Sequence, residues 1–512
     1  MHPSIHARQT PERLATVMAE TGEVRSYAQL ERRSNQVAHL LRAQGLKRGD
    51  VVAVVLKNRI EYFDIAWGAQ RAGLYFVCIS TRLVADEIRY ILDDCNARFL
   101  FVDGEFSSLV DEIAAEISCL VVGSQEDGAF EATIARFPDT PIADESAGSD
   151  MLYSSGTTGR PKGVKPPLPD GPLAAAMPMT EMGERLWGLD NDTVFLSPAP
   201  LYHAAPLRWC MVVQRLGGTV IVMERFDPEA ALALIERHRV THAQWVPTHF
   251  VRMLKLPEDV RMRYDHTSLR AVWHAAAPCP LPIKEAMLAW WGPVIYEYYS
   301  GTEANGLTHI GPQEWLAHRG SVGRAIWGIF HVCDEDGNDL PPGQEGQIWV
   351  ADGLSFTYHN DPEKTAQAHN NKGWSSLGDV GWMDDEGYLY LTDRKNFMII
   401  SGGVNIYPQE IENCLITHPG IREAAVFGVP DEDLGERVIA VIEPIRWEDA
   451  GEPFVAELRE WLDGRIARIK IPRNVFFEQS LPRQPTGKMN KRELQHRYAE
   501  GVPMRDQQRK LP

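Results

Sequence analysis

The sequence predicts an α/β protein: a large amino-terminal domain of doubly wound α/β layers followed by a small α+β carboxy-terminal domain. Three observations carry this reading. Helix and strand patterns alternate through the first half, and the strand runs are continuously apolar, as in strands covered on both faces. Beyond about residue 394 the pattern changes to short strands with one helix, which divides the chain into 1–394 and 395–512. A chain of 512 residues also exceeds what one hydrophobic core usually supports.

Taken in order, Ser26 and Gln29 have the spacing of a capping box, and Leu30, Val37 and Leu41 continue it at helical period until Gly45. Val51 to Leu56 is an apolar strand run, followed by a helix from about Ile60 to Ala72 and a strand from Leu74 to Ile79. Val84 to Asp94 reads as helix and Phe99 to Val102 as strand. The rhythm returns with a strand at Val220 to Met223, a helix at Pro228 to Arg239 and a strand at Ala243 to Val246. This βαβα order implies parallel sheets, and two α/β layers are expected before residue 394. In the second part, Glu423 to Val429 and Val438 to Ile442 read as strands and Phe454 to Ala467 as a helix.

A net charge of −18, from 70 acidic and 52 basic residues, argues against a nucleic-acid partner and confines any anion site to a local positive pocket. Seven cysteines without a CxxC pair predict a reduced chain with no disulfide framework. The start lacks an apolar leader and no run reaches eighteen apolar residues, so a cytoplasmic protein without a transmembrane segment is expected. His238 and His242 stand four apart but straddle a helix-to-strand change without the HExxH glutamate, which speaks against zinc.

The chemistry concentrates in five stretches. Ser154-Ser155-Gly156-Thr157-Thr158-Gly159-Arg160-Pro161-Lys162-Gly163 joins hydroxyls, glycines and two cations, a composition suited to cradling a polyphosphate. Pro161 stands where a Walker loop needs its second glycine. Ala275, Ala276, Ala277 and Pro278, with Tyr298, Tyr299, Ser300 and Gly301, offer small residues beside a ring, room for a flat adenine. Glu303 supplies a hard oxygen for Mg²⁺. Asp379, in a turn-rich segment, suits the two hydroxyls of a ribose. Tyr202-His203-Ala204-Ala205 sets an aromatic and a histidine just after a strand and holds no acidic residue.

These motifs resemble the adenylate-forming superfamily of acyl-CoA synthetases, luciferases and peptide-synthetase adenylation domains, along nearly the whole chain. The resemblance implies an AMP-forming acyl-CoA synthetase with ATP, Mg²⁺ and coenzyme A as its cofactors. It places Thr302 on the α-phosphate or acyl carboxylate, Glu303 on the metal, Arg394 as a second ribose contact and Lys488 as the catalytic lysine. It makes the small domain mobile about a hinge at Asn396, where relatives carry Asp or Lys, and puts Gly402 and Gly403 on the pantetheine tunnel. Leu377 stands where relatives usually have threonine. The acyl mouth falls at His203 and Ala204, with Trp245, Ala275, Gly301 and Gly306 around the pocket. Ala204, Ala205, Ala275, Gly301 and Gly306 suggest a roomy apolar pocket for a medium- or long-chain fatty acid; Trp245 and His274 could narrow it for an aryl or other small acid. A binding protein that kept the fold without turnover is the remote alternative. The expected partners are small molecules, and a homodimer is among the assemblies allowed.

Overall fold

The computed structural model describes residues 1–106, 117–123, 129–154, 161–175, 177–394, 397–401, 404–431, 434–483 and 489–499. Its first parallel sheet runs Ser118–Val122, Ala97–Asp103, Val51–Val55, Tyr75–Cys78, Ser149–Asp150, with every neighbour parallel. Val51–Val55 is buried along its whole length, which explains its unbroken apolar run. The Ser26–Gln29 capping box is present, and the helix it starts spans Tyr27–Ala43. That helix crosses Glu61–Arg71 at Gly68, where a Cβ would lie 2.5 Å from Val37 Cγ1; only glycine allows this approach.

The second sheet has 13 described strands. Ile295–Tyr299, Ala271–His274, His242–Trp245, Val194–Ser197, Thr219–Val222 and Leu14–Met18 lie side by side and parallel. On the other side of Ile295–Tyr299 the sheet turns antiparallel, through Leu307–Ile310, Ser321–Trp327, Leu389–Arg394, Asp379–Met383, Gly346–Ala351 and Ile329–Cys333. The expectation of two α/β layers therefore covers the parallel parts only. The antiparallel extension is built of short strands with irregular connections, including the short helices Pro312–Ala317 and Pro362–Gln367, so no regular strand–helix rhythm announces it.

The carboxy-terminal part is a separate sheet of Val404–Ile406, Ile399–Ser401, Gly435–Pro444, Ile421–Asp431 and Asn474–Phe477. Its core centres on Ile411, Val426, Ile442 and Leu458. The helix expected to reach Ala467 spans Glu452–Leu462, because Gly464 takes a left-handed φ of +74° and turns the chain. This part rests on the large domain through Ile416, which packs against the buried large-domain cluster that includes Tyr388, and through Lys255, whose Nζ donates to the Ile421 carbonyl. Burial, with Arg422 nearby, pulls the Lys255 ammonium down to about 8. Among the described residues no helix is long and apolar enough to cross a membrane.

Candidate active site

Directly after the edge strand Ser149–Asp150, Leu152–Ser154 and Lys162–Val164 form an antiparallel hairpin, with Tyr153 opposite Gly163 and Ser154 opposite Lys162. Its connection is the predicted phosphate loop. Ser155, Gly156, Thr157, Thr158, Gly159 and Arg160 lie outside the described residues, as does the Ser154 side chain; the hairpin strands flanking the loop are placed. A Cβ on Gly163 would sit 3.0 Å from Met151 and Tyr153 and 3.1 Å from His359, so the hairpin is packed on both sides. It docks on residues 358–359: Val164 bridges Tyr358, and the His359 N–H donates to the Gly163 carbonyl at 2.8 Å. Lys162 Nζ lies 4.6 Å from the centre of the Tyr358 ring, and Tyr358 Oη donates to Glu303 Oε1 at 2.9 Å. One tyrosine thus joins the phosphate hairpin to the predicted metal ligand. The sequence reading missed Tyr358, whose only signal is an aromatic pair, Phe356 and Tyr358, after an apolar strand.

Ile295–Tyr299 stands where the large sheet changes from parallel to antiparallel, and clefts at the carboxyl ends of such strands are the usual ligand sites. Tyr299 Oη donates to Asp379 Oδ2 at 2.6 Å. Asp379 is 8% exposed and opens a strand whose register pairs it with Arg394, so the two predicted ribose contacts are cross-strand neighbours. The Arg394 side chain lies outside the described residues, as do Asn396, Gly402, Gly403 and Lys488. At Gly301 a Cβ would stand 2.1 Å from Leu377 Cδ1 and 3.0 Å from Glu303 Oε2, so a side chain here would displace both neighbours. Ser300 Oγ donates to the Gly306 carbonyl at 2.7 Å and closes the loop that holds Thr302 and Glu303, both partly exposed. Gly306 itself is buried against Phe330 and Val350. Ala276 (φ +76°) and Ala304 (φ +53°) adopt the left-handed region that non-glycine residues avoid. Such strain, about 1–3 kcal/mol per residue, gathers at functional sites. Ala276 and Ala277 are exposed, Ala275 is buried and Pro278 partly buried.

His203 precedes the helix Ala204–Leu216, whose partly exposed face carries Ala204, Ala205 and Arg208. Strand register decides which residues can line the acyl side. Gln244 pairs with Trp273 and Trp273 with Tyr296, so these share one sheet face with Tyr298; Trp245, His274, Glu297 and Tyr299 take the other. Trp245 and His274 are both fully buried, away from Tyr298, and the residues beside Tyr298 are Trp209 and Gln244. His242 is enclosed too, its ring held by Thr241 Oγ1 at 2.8 Å and the Trp187 carbonyl at 2.9 Å.

His274, directly before Ala275, belongs to a buried polar cluster. Lys284 Nζ donates to Glu297 Oε2, and His274 Nε2 is 3.4 Å from the same oxygen. Burial raises the Glu297 carboxyl against the opposing pull of Lys284, while burial and then Lys284 hold His274 well below the usual histidine range. His249 is likewise pushed down by burial, to about 3, and His309 to about 4. These rings fold neutral, whereas in the unfolded chain they charge below their ordinary value of 6.5. The unfolded state then binds more protons, so stability is full above that pH and declines as pH falls through it. For His249→Gln, which cannot charge, stability relative to the parent should improve by about 1.4 kcal/mol between pH 7.5 and pH 5.5. Urea unfolding at the two pH values measures this, and an unchanged difference would contradict it.

The hairpin that flanks the predicted phosphate loop, Glu303 beside it through Tyr358, and the Tyr299–Asp379 pair thus lie at one sheet switch point. Comparison with known proteins identifies the family. Residues 4–356 match the AMP-binding enzyme family and residues 410–488 the AMP-binding enzyme C-terminal domain. The chain is 33% identical over 505 residues to the long-chain-fatty-acid–CoA ligase FadD13 of Mycobacterium tuberculosis, covering 97% of this chain and 98% of the relative. It is 34% identical over 510 residues to a feruloyl-CoA synthase of an Amycolatopsis species, with 97% and 98% covered. It also superposes on o-succinylbenzoate CoA synthetase from Bacillus subtilis, solved with its acyl-adenylate intermediate, at a TM-score of 0.80 and 27% identity, covering 96% and 97%. The chain belongs to the AMP-binding enzyme family, in its acyl-CoA synthetase branch, and is an AMP-forming acid–thiol ligase.

Proposed function

We propose that this enzyme activates a hydrophobic carboxylic acid as its acyl-adenylate and then passes the acyl group to coenzyme A. The carrying observation is the convergence of the hairpin, through Lys162 and Tyr358, on Glu303, with Tyr299 on the preceding strand bonded to Asp379. ATP, Mg²⁺ and coenzyme A are the co-substrates and metal of this class. Asp379 and Arg394 receive the ribose hydroxyls, and the shelf at Ala276 and Ala277 receives the adenine opposite Tyr299. The carboxylate side chain of Glu303, held in place by Tyr358, fits Mg²⁺, which would neutralise phosphate charge there.

A carboxylate oxygen attacks the α-phosphorus and pyrophosphate leaves from the hairpin side. Lys488 stabilises the charge that develops between carboxylate and phosphate, with Thr302 alongside. The small domain, 395–512, then turns about the junction near Asn396. The coenzyme A thiolate enters past Gly402 and Gly403, attacks the acyl carbonyl, and AMP leaves with the bonding electrons. Seven free cysteines suit a cytoplasmic setting for this chemistry.

Both a fatty acid and a more compact aryl acid fit this scheme. Trp209 and Trp273, 2% and 0% exposed, fill the layer behind Tyr298 and favour the compact acid. A panel of alkyl and aryl acids in a pyrophosphate-release assay tests the reading: acid-dependent AMP is expected, and its absence with every acid would end it. Asp379→Ala should raise the KM for ATP by about 10–100-fold, the worth of lost hydrogen bonds to a charged group. An unchanged KM would remove Asp379 from the nucleotide site.

A further inference from the structure

The hairpin that carries Lys162 is too small to place itself. Its facing pairs are Leu152 with Val164, Tyr153 with Gly163 and Ser154 with Lys162, and an isolated two-stranded ribbon is marginally stable at best. Its position must come from what it docks on. One strand, through Gly163 and Val164, is held by residues 358 and 359. The other is held from a distant point of the chain: Tyr153 Oη donates to Oδ2 of Asp94, the last residue of the helix Ala85–Asp94. Burial, and then the bond to Asp94, keep the Tyr153 phenol above its usual range, so it remains a donor. The ring lies against Gly163, where a Cβ would stand 3.0 Å from Tyr153 Cζ, so anchoring the ring also anchors the strand opposite.

Asp94 then closes the circuit. Its Oδ1 accepts from Asn360 Nδ2 at 3.3 Å, and its main-chain carbonyl accepts from the same nitrogen at 3.0 Å. His359 Nε2 lies 3.0 Å from that carbonyl as well. Asn360 reaches this position from a left-handed φ of +54°, which asparagine tolerates better than most residues. Its neighbour Tyr358 is the residue that meets both Lys162 and Glu303. One carboxylate therefore ties Tyr153 and Asn360, 59 and 266 residues away, to a single helix end. That helix belongs to the first parallel sheet, between Tyr75–Cys78 and Ala97–Asp103, whereas residues 358–360 follow Gly346–Ala351 of the second. Helix stability does not account for the residue: a carboxylate in the last turn faces the negative end of the helix dipole, and no basic residue offsets it there. Bonds from O–H and N–H donors to a carboxylate are charge-assisted and short, which suits an anchor.

We infer that Asp94 is a positioning residue for acyl-adenylate formation: through Tyr153 and Asn360 it sets the hairpin against residues 358–360, and so fixes Lys162 relative to Tyr358 and Glu303. The inference rests on the acid:CoA ligase reading above. Its test uses Asp94→Leu, Asp94→Asn and Tyr153→Phe, with two readouts: kcat/KM for ATP in acid-dependent pyrophosphate release, and the rate of thioester formation from preformed acyl-adenylate. Misplacing reacting groups by about 1 Å can cost about 100-fold, so Asp94→Leu should lower the first readout by about 10–100-fold. The second should fall by no more than about threefold. Tyr153→Phe keeps the ring and loses only the anchoring O–H, and should lower the first readout by about 10-fold. Asp94→Asn keeps an oxygen that accepts from Tyr153 and should return it to within about fivefold of the parent. A merely structural role would slow both half-reactions alike and would show no rescue by asparagine. Such equal slowing, or an unchanged kcat/KM for ATP in Tyr153→Phe, would overturn the inference and leave the ligase reading standing. No AMP from the parent with any acid would overturn both.

Discussion

Lys488→Ala is expected to slow acyl-adenylate formation by about 10²–10³-fold, equivalent to about 3–4 kcal/mol of transition-state stabilisation. Attack of carboxylate on the α-phosphate brings two anions together, and an ammonium group placed between them is worth most when that charge is greatest. The loss should therefore appear in kcat for pyrophosphate release with little change in the KM for ATP. Thioester formation from preformed acyl-adenylate needs no such neutralisation, because AMP leaves from a neutral carbonyl. It should fall by no more than about threefold. Following the two half-reactions separately decides the matter. Equal slowing of both would mean that the small domain does not change position between them.

The second large effect is on stability. Lys284 and Glu297 form an ion pair sealed from water, at 0% and 5% exposure, with Lys284 also 4.8 Å from the centre of the Trp315 ring. Removing one member leaves the other charge buried without a counter-charge, which costs about 3–5 kcal/mol, whereas replacing both by apolar groups of similar size is often neutral. Lys284→Met and Glu297→Leu are each expected to lower stability by that amount, and the double replacement by much less. Urea midpoints at constant m value measure the cycle. Single variants within about 0.5 kcal/mol of the parent would show that the pair carries no such weight. Because Glu297 lies two residues before Tyr299 and His274 directly before Ala275, each single variant should also raise the KM for ATP.

The Lys284–Glu297 pair sits at the sheet switch point, and that is also where the limits of sequence reading fall. The capping box at Ser26 and Gln29, the buried strand at Val51–Val55 and the hairpin-borne Ser154–Gly163 motif were legible because each is a local pattern. Asp379 and Arg394 were legible as separate motifs, and their register as cross-strand neighbours was not. Tyr358 escaped notice because two of its contacts, Lys162 and Glu303, lie 196 and 55 residues away in the chain, a separation no periodicity reports. Trp245 was expected at the acyl pocket, since alternation tells that neighbouring positions point oppositely but not which face meets the ligand.

By itself, then, the sequence determined the class of protein, an AMP-binding enzyme, and offered the residue types proposed for phosphate, metal and ribose, because motifs and the strand and helix patterns that carry them are local properties of side-chain spacing. Only the tertiary structure decided the antiparallel extension of the large sheet, the tyrosine link between hairpin and glutamate, and the face on which Gln244 and Tyr298 meet. Those depend on strand order and register, which are set by burial summed over distant segments and by backbone hydrogen bonds that any residue can make.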